Sequence, residues 1–253
     1  SGAAGLMLAV ERRATRAVPG EAVEERSLLT ALGPFRLPTA GGCTSERERR
    51  RAPARGYMDS SPVTTRHTDA RLGLASFIDK PLSRLGGSGD YVYQVAAGGQ
   101  ITNSHTTFVN AIQGLVLGWG DDAPQSQLES LMQLANHAAD LGYRSGSQRF
   151  VVMMTDAEFH KPGDCTACTH ANNGDGIIDP LEDYPSVAQV ANALVAANIT
   201  PIFAVTEPEV AVYEQLTHDL AALGVNQGSV VTLADDSSNI VNAVLTGLKC
   251  PAH

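Results

Sequence analysis

From Arg71 to the C-terminus, short apolar runs alternate with segments of helical periodicity, and this alternation restricts the possible fold more than any other feature of the chain. Strands are expected at 71–79, 91–96, 150–155, 200–205 and 229–233. Helices are expected at 104–117, 125–141, 186–197, 209–223 and 238–248. Most of the strand runs are apolar on both faces, which a strand needs when helices cover each side of its sheet. The expected fold is therefore α/β, a doubly wound and mainly parallel sheet built from successive βα units. Ser186 followed by Gln189 fits a capping box, and Ser237-Ser238 after Asp236 offers N-cap oxygens to the last helix. No internal repeat interrupts the pattern.

Residues 1–70 read differently. Gly, Pro and Arg are scattered there without sustained period, and 6–10 is the one stretch that suits a buried strand. The split is also one of charge. Residues 1–72 hold twelve Arg, no Lys and eight acids, a net of +4, whereas 73–253 hold six basic and nineteen acidic residues, a net of −13. The expected organisation is an Arg-rich, disordered or atypical segment over 1–70, followed by one domain over 71–253. The acidic surface argues against nucleic acid or an anionic membrane as partner and is compatible with divalent cations. The basic run at 46–51 is read as a solvated tract. No stretch of 18 or more apolar residues could span a membrane directly. The chain opens on Ser1 and not on Met, as expected of a processed or excised product.

In open parallel sheets, ligands bind beyond the carboxyl ends of the strands, where successive loops converge. Acids at strand ends are informative for that reason. Asp79 follows the first expected strand, Asp156 follows 150–155, and Asp121-Asp122 precede a helix start. Taken singly, each could cap a helix or face water; together, three loops offer carboxylates to one end of the sheet.

The same segments carry a resemblance. Arg71-Leu-Gly-Leu-Ala-Ser-Phe-Ile-Asp-Lys-Pro81 resembles the R-I-G-F-G-x-F-V-D-K-P strand of integrin β subunits. In order after it, Asp122-Ala-Pro-Gln125, Met154-Thr-Asp-Ala157, Asp183-Tyr-Pro-Ser186, Ile202-Phe-Ala-Val-Thr-Glu207 and Asp236-Ser-Ser-Asn239 resemble that family's D-A-P-E, T-T-D-A, D-Y-P-S, I-F-A-V-T-E and D-S-S-N. The resemblance implies a von Willebrand A, Rossmann-like domain, in which the usual first central strand is not identifiable here. It also implies a metal-ion-dependent adhesion site for Mg²⁺ and/or Ca²⁺. Hard cations of this kind prefer oxygen ligands, and a position left open can capture a carboxylate of a protein ligand. Asp156 matches the family's metal aspartate, and Asp79, Asp122 and the Pro124 carbonyl match its neighbouring Ca²⁺ site. The bridging glutamate of that site is Gln125, and Gly120 stands in place of a side-chain oxygen donor. The family's D-x-S-x-S has no counterpart in 1–70. The nearest stretch, Asp59-Ser60-Ser61, lies 12 residues before Arg71, too close for the intervening helix.

The loop at 162–183 holds the remaining chemistry. Asn173, Asp175, Gly176, Asp179 and Glu182 fall at positions 3, 5, 6, 9 and 12 of an EF-hand-like Ca²⁺ loop, with Ala171 at position 1. The alternative is a solvated Asn-Gly-Asp-Gly turn. Cys165 and Cys168 form a C-x-x-C, for which a disulfide is expected, either to each other or from one of them to Cys250. A Zn²⁺ site of His160, Cys165, Cys168 and His170 is the competing possibility.

No nucleophile and base, phosphate loop or acid/base carboxylate pair occurs in a convincing context. Gly86-Gly-Ser-Gly89 lacks the ending of a P-loop, and His67, His105, His137, His218 and His253 are scattered. The expected function is an extracellular or cell-surface adhesion or protein-binding module with divalent-cation-dependent recognition, and not an enzyme. Its expected partners are a protein ligand bound through an acidic side chain and an α-type subunit. The alternative is a metal-independent interaction domain with a degenerate site.

Overall fold

The computed structural model describes residues 5–13, 70–116, 118, 120–234, 236–240, 244 and 246. Six strands make one sheet: β1 (Gly5–Arg13), β2 (Arg71–Phe77), β3 (Gln94–Val95), β4 (Ser147–Thr155), β5 (Ile199–Thr206) and β6 (Ser229–Leu233). Their order is β3-β2-β1-β4-β5-β6. The helices are α1 (His105–Gln113), α2 (Gln127–Asn136), α3 (Ala138–Leu141), α4 (Val187–Ala197) and α5 (Val210–Ala222).

β2, β4, β5 and β6 run the same way, as the βα reading expects. β1 lies between β2 and β4 and is antiparallel to both, and β3 is antiparallel to β2. Among the described residues the sheet therefore begins at residue 5, and the boundary expected at residue 71 does not separate β1 from the sheet it pairs into. Period-two alternation gives the reason. Leu6, Leu8 and Val10 enter one apolar layer with Leu72, Leu74 and Val152, while Met7 and Ala9 enter the other with Phe77 and Val151. A strand apolar on both faces is stable only where both faces are covered, and the centre of the sheet is such a place. Leu8 sits opposite Leu74 on one side and Val152 on the other. Burying each such side chain contributes about 1.5–3 kcal/mol.

The layer of Met7 and Ala9 is closed by α2, α4 and α5 through Leu131, Leu194 and Leu216, and the layer of Leu6, Leu8 and Val10 by α1 through Phe108 and Ile112. At one strand end, a Cβ on Gly5 would lie 2.0 Å from Phe77 Cζ, so only glycine lets β1 pass that ring. The capping box at α4 forms as expected, with Ser186 Oγ accepting from Gln189 N and Gln189 Oε1 accepting from Ser186 N.

The expected helix 104–117 ends at Gln113, and two other elements differ more from expectation in extent. The expected helix 125–141 is interrupted at His137, whose ring contacts the Gly176 carbonyl at 3.1 Å and Asp140 at 3.0 Å. The stretch 91–96 contributes only Gln94–Val95 to the ladder, although Ile78 N still donates to Tyr91 O and Ala96 N to Leu74 O. Most of the expected last helix lies outside the described residues. Ile240 and Val244 from it are buried in the layer of Leu6, Leu8 and Val10. Asp59-Ser60-Ser61, Cys43, Cys250 and the run 46–51 also lie outside the described residues.

Candidate metal-binding site

Because β2 and β4 run parallel, the loops after them leave the same end of the sheet. Backbone hydrogen bonds join them to the segment before α2. Ser126 N donates to Ile78 O, Gln125 N to Glu158 O, and His160 N to Gln125 O. These three bonds draw Asp79, the 122–126 segment and His160 together.

Asp79 has no exposed surface. Its Oδ1 accepts from Lys80 N at 2.7 Å, from Ser126 Oγ at 2.7 Å and from the Tyr184 hydroxyl. Three donors on one oxygen orient the carboxylate and leave Oδ2 turned toward His160. His160 Nε2 lies 3.1 Å from Asp79 Oδ2 and 3.5 Å from Asp122 Oδ2. Neither approach has hydrogen-bond alignment. Asp79 Oδ2, Asp122 Oδ1, Gln125 Oε1 and His160 Nε2 are buried atoms without a hydrogen-bond partner. Asp79, Asp122 and His160 can bring one ligand atom each within 4.8 Å of one another.

The electrostatics follow from burial. Desolvation raises the Asp122 carboxyl, an effect that His160 opposes and Asp79 reinforces. Burial alone would lower His160, but the two carboxylates outweigh it and the imidazole titrates above its usual range. The His160 ring stacks on Tyr184 with centroids 4.4 Å apart. Lys80, the residue after Asp79, is turned away to Glu129 in a 2.6 Å ion pair with neither side chain exposed. Burial pushes Glu129 up to about 7, against the lowering effect of Lys80.

Of the remaining expected ligands, Pro124 and Gln125 stay beside Asp122, and Asp156 and the 162–183 residues lie outside the cluster. Asp156, at the end of β4, is outside the Asp79 cluster, and with Glu158 it raises the Glu209 carboxyl, whose main perturbation is burial. Pro124 directly precedes Gln125, whose Nε2 donates to Asp122 O at 3.4 Å. In the 162–183 loop, oxygens of Asn173, Asp175, Asp179 and Glu182 accept from Asp175 N, Ile177 N, Leu181 N and Asn173 N respectively. Gly174 and Gly176 adopt φ of 78° and 77°, as a tight polar turn requires. Asp175, Asp179 and Glu182 do not converge as a three-ligand group. Cys165 and Cys168 are disulfide-bonded to each other, so their sulfurs are not thiolate ligands, and the Zn²⁺ arrangement with His160 and His170 does not form. His160 joins Asp79 and Asp122 instead. Sequence reasoning missed this pairing, although a histidine in the loop after β4, four residues past Asp156, was the available signal.

An open α/β sheet in the order β3-β2-β1-β4-β5-β6, with carboxylates gathered beyond its parallel strand ends, has the architecture of a von Willebrand A domain. A family model described as "Integrin beta chain VWA domain" matches residues 88–249, and the chain belongs to that family. Among curated proteins it is similar to Integrin beta-2-like protein of Mus musculus, 36% identical over 130 residues, covering 48% of this chain and 17% of that protein. Integrin beta-PS of Drosophila melanogaster is 30% identical over 154 residues, covering 57% and 18% respectively. Integrin beta-7 of Homo sapiens is 35% identical over 134 residues, covering 49% and 16%. The matched stretch thus spans less than a fifth of each of these relatives.

Proposed function

We propose that this chain is an extracellular, protein-binding adhesion module, not an enzyme, and that its ligand recognition depends on a divalent cation held by Asp79 and Asp122. The observation that carries this reading is the set of buried oxygens without hydrogen-bond partners at the end of the sheet: Asp79 Oδ2, Asp122 Oδ1 and Gln125 Oε1. A buried polar atom without a hydrogen bond costs about 1–3 kcal/mol, and a cation would satisfy several such atoms at once. Mg²⁺ and Ca²⁺ are the ions expected of the family, and the Pro124 carbonyl would complete the oxygen set. When bound, the cation would supply an electrophilic position for a carboxylate of a protein ligand. Kinship with integrin β chains supports an α-type partner subunit and a place at the cell surface. Asp156 would serve as a further acidic contact at the same end of the sheet.

The test is thermal unfolding in chelator, then with millimolar Mg²⁺ or Ca²⁺, for wild type and for Asp79→Asn and Asp122→Asn. A ligand specific to the folded state at about 100 times its Kd stabilises by about 2.7 kcal/mol. The expected result is a rise in Tm for wild type that both variants lose. A wild-type Tm indifferent to both ions would defeat the reading.

One observation favours a second reading, a metal-independent interaction domain. The central strand β1 runs antiparallel to β2 and β4, so its carboxyl end, with Glu11, lies at the end of the sheet opposite Asp79. Binding of an acidic protein ligand that persists unchanged in chelator would select that reading.

A further inference from the structure

We infer that His160 is itself a metal ligand, so that Asp79, Asp122 and His160 form a two-carboxylate, one-imidazole site for Zn²⁺ and not an all-oxygen site. This rests on the cation reading proposed above and specifies the ion.

The imidazole is built as a ligand is built. Its ring is 4% exposed, and Nε2 is buried without an aligned hydrogen-bond partner while pointing at both carboxylates. Its other nitrogen, Nδ1, lies 3.4 Å from Asp164 Oδ2, and that oxygen is held in turn by Lys161 N at 2.7 Å. A histidine steadied at one nitrogen by a carboxylate, with the other nitrogen left for metal, is the usual arrangement around bound Zn²⁺. Tyr184 fixes the plane of the ring by stacking and the direction of Asp79 through its hydroxyl.

The oxygen count points the same way. Ca²⁺ takes about 6–8 oxygens, but position 120 is glycine and position 125 is an uncharged amide. Gln125 also fills the space beside Gly120, where a Cβ would meet Nε2 at 2.5 Å. Imidazole suits Zn²⁺ better than it suits Mg²⁺ or Ca²⁺. A tetrahedron with Zn²⁺ bonds of ~2.05 Å has edges of about 3.3 Å, and the Nε2-to-oxygen separations of 3.1 and 3.5 Å bracket that value. Lys80 cannot balance the two carboxylates, because it is committed to Glu129. Three protein ligands would leave one position for a water or for a carboxylate of the protein ligand.

The competing arrangement is an imidazolium ion lying between the two carboxylates with no metal. Calorimetric titration separates the two, using chelator-stripped protein with its free thiols alkylated and Zn²⁺, Ca²⁺ or Mg²⁺ added singly to wild type and to His160→Gln. Zn²⁺ is expected to bind wild type at least ~100-fold more tightly than Ca²⁺, and His160→Gln to lose roughly 100-fold in Zn²⁺ affinity with no change toward Ca²⁺. Because His160→Gln could fail to fold, wild type loaded with Mn²⁺ gives a second readout: electron spin echo should detect a directly bound imidazole nitrogen. Zn²⁺ binding that survives in His160→Gln, or Mn²⁺ bound without a nitrogen signal, overturns the inference while leaving an oxygen-bound cation possible. No binding of any of the ions overturns both this inference and the cation reading beneath it.

Discussion

Glu11 at one end of the sheet and Asp79 at the other are both carboxylates without exposed surface, yet their surroundings differ in what they leave undone. Glu11 Oε1 lies 2.6 Å from Arg144 Nε and 3.8 Å from Arg71 Nε, and Oε2 accepts from Arg144 N and Ser147 Oγ. Cations and donors of the protein surround it. Asp79 is held on Oδ1 alone, and its Oδ2 faces a second carboxylate with one imidazole between them. Both ends fix a buried charge in position. The Glu11 end neutralises the charge from within the chain, whereas the Asp79 end keeps oxygens in reserve. That contrast separates a structural ion cluster from a candidate binding site more sharply than burial does.

The largest effect is expected at the pair behind the site. Glu129→Leu leaves the fully buried Lys80 without its partner and should cost about 3–5 kcal/mol in urea unfolding, whereas Lys80→Met combined with Glu129→Leu should recover most of that loss. Next comes the Glu11 end, where Glu11→Ala removes a charge-assisted amide bond and two arginine partners. Here a loss of about 2–3 kcal/mol is expected, identical in chelator and in added cation. If that loss depended on cation, the division of labour between the two ends would be wrong.

Acidity offers a third probe. Glu129 titrates near 4.5 in the unfolded chain and near 7 when folded, because burial opposes its charge. Between those values the folded state holds a proton that the unfolded state has released, so stability should fall by about 2–3 kcal/mol as pH rises from 4.5 to 7. Glu129→Gln should flatten that slope, as read from Tm against pH in chelator. The smallest effect is expected for Tyr184→Phe, which removes one of three donors to Asp79 Oδ1. It should cost about 1 kcal/mol of stability and roughly 10-fold in cation affinity. Unchanged affinity in that variant would show that Tyr184 orients the ring of His160 but not Asp79.

Much of this was legible in local pattern. The strand at 229–233 agrees residue for residue, and the capping box at Ser186 appears where Gln189 predicted it. Asp79 and Asp122 were legible as candidate site residues because each flanks an element at the carboxyl end of the parallel strands. The place of β1 was not legible. Its five apolar residues are consistent with a buried strand, but the 57 residues between Arg13 and Arg71 carry no signal for the direction in which it enters the sheet. His160 was masked by its neighbours, since Cys165 and Cys168 suggested a different ligand set until their disulfide closed it. Lys80 and Glu129 lie 49 positions apart, and nothing in either local window marks their pairing.

The sequence by itself determined the α/β class, the parallel strands and the end of the sheet at which carboxylates gather, because periodicity and strand-end position are local properties of the chain. Only the tertiary structure decided that β1 runs antiparallel through the centre, that Lys80 is spent on Glu129, and that His160 closes on Asp79 and Asp122. The first depends on which distant segments cover both apolar faces of β1, and the other two on which buried charges find partners across distant loops, where solvent exclusion makes each choice worth several kcal/mol.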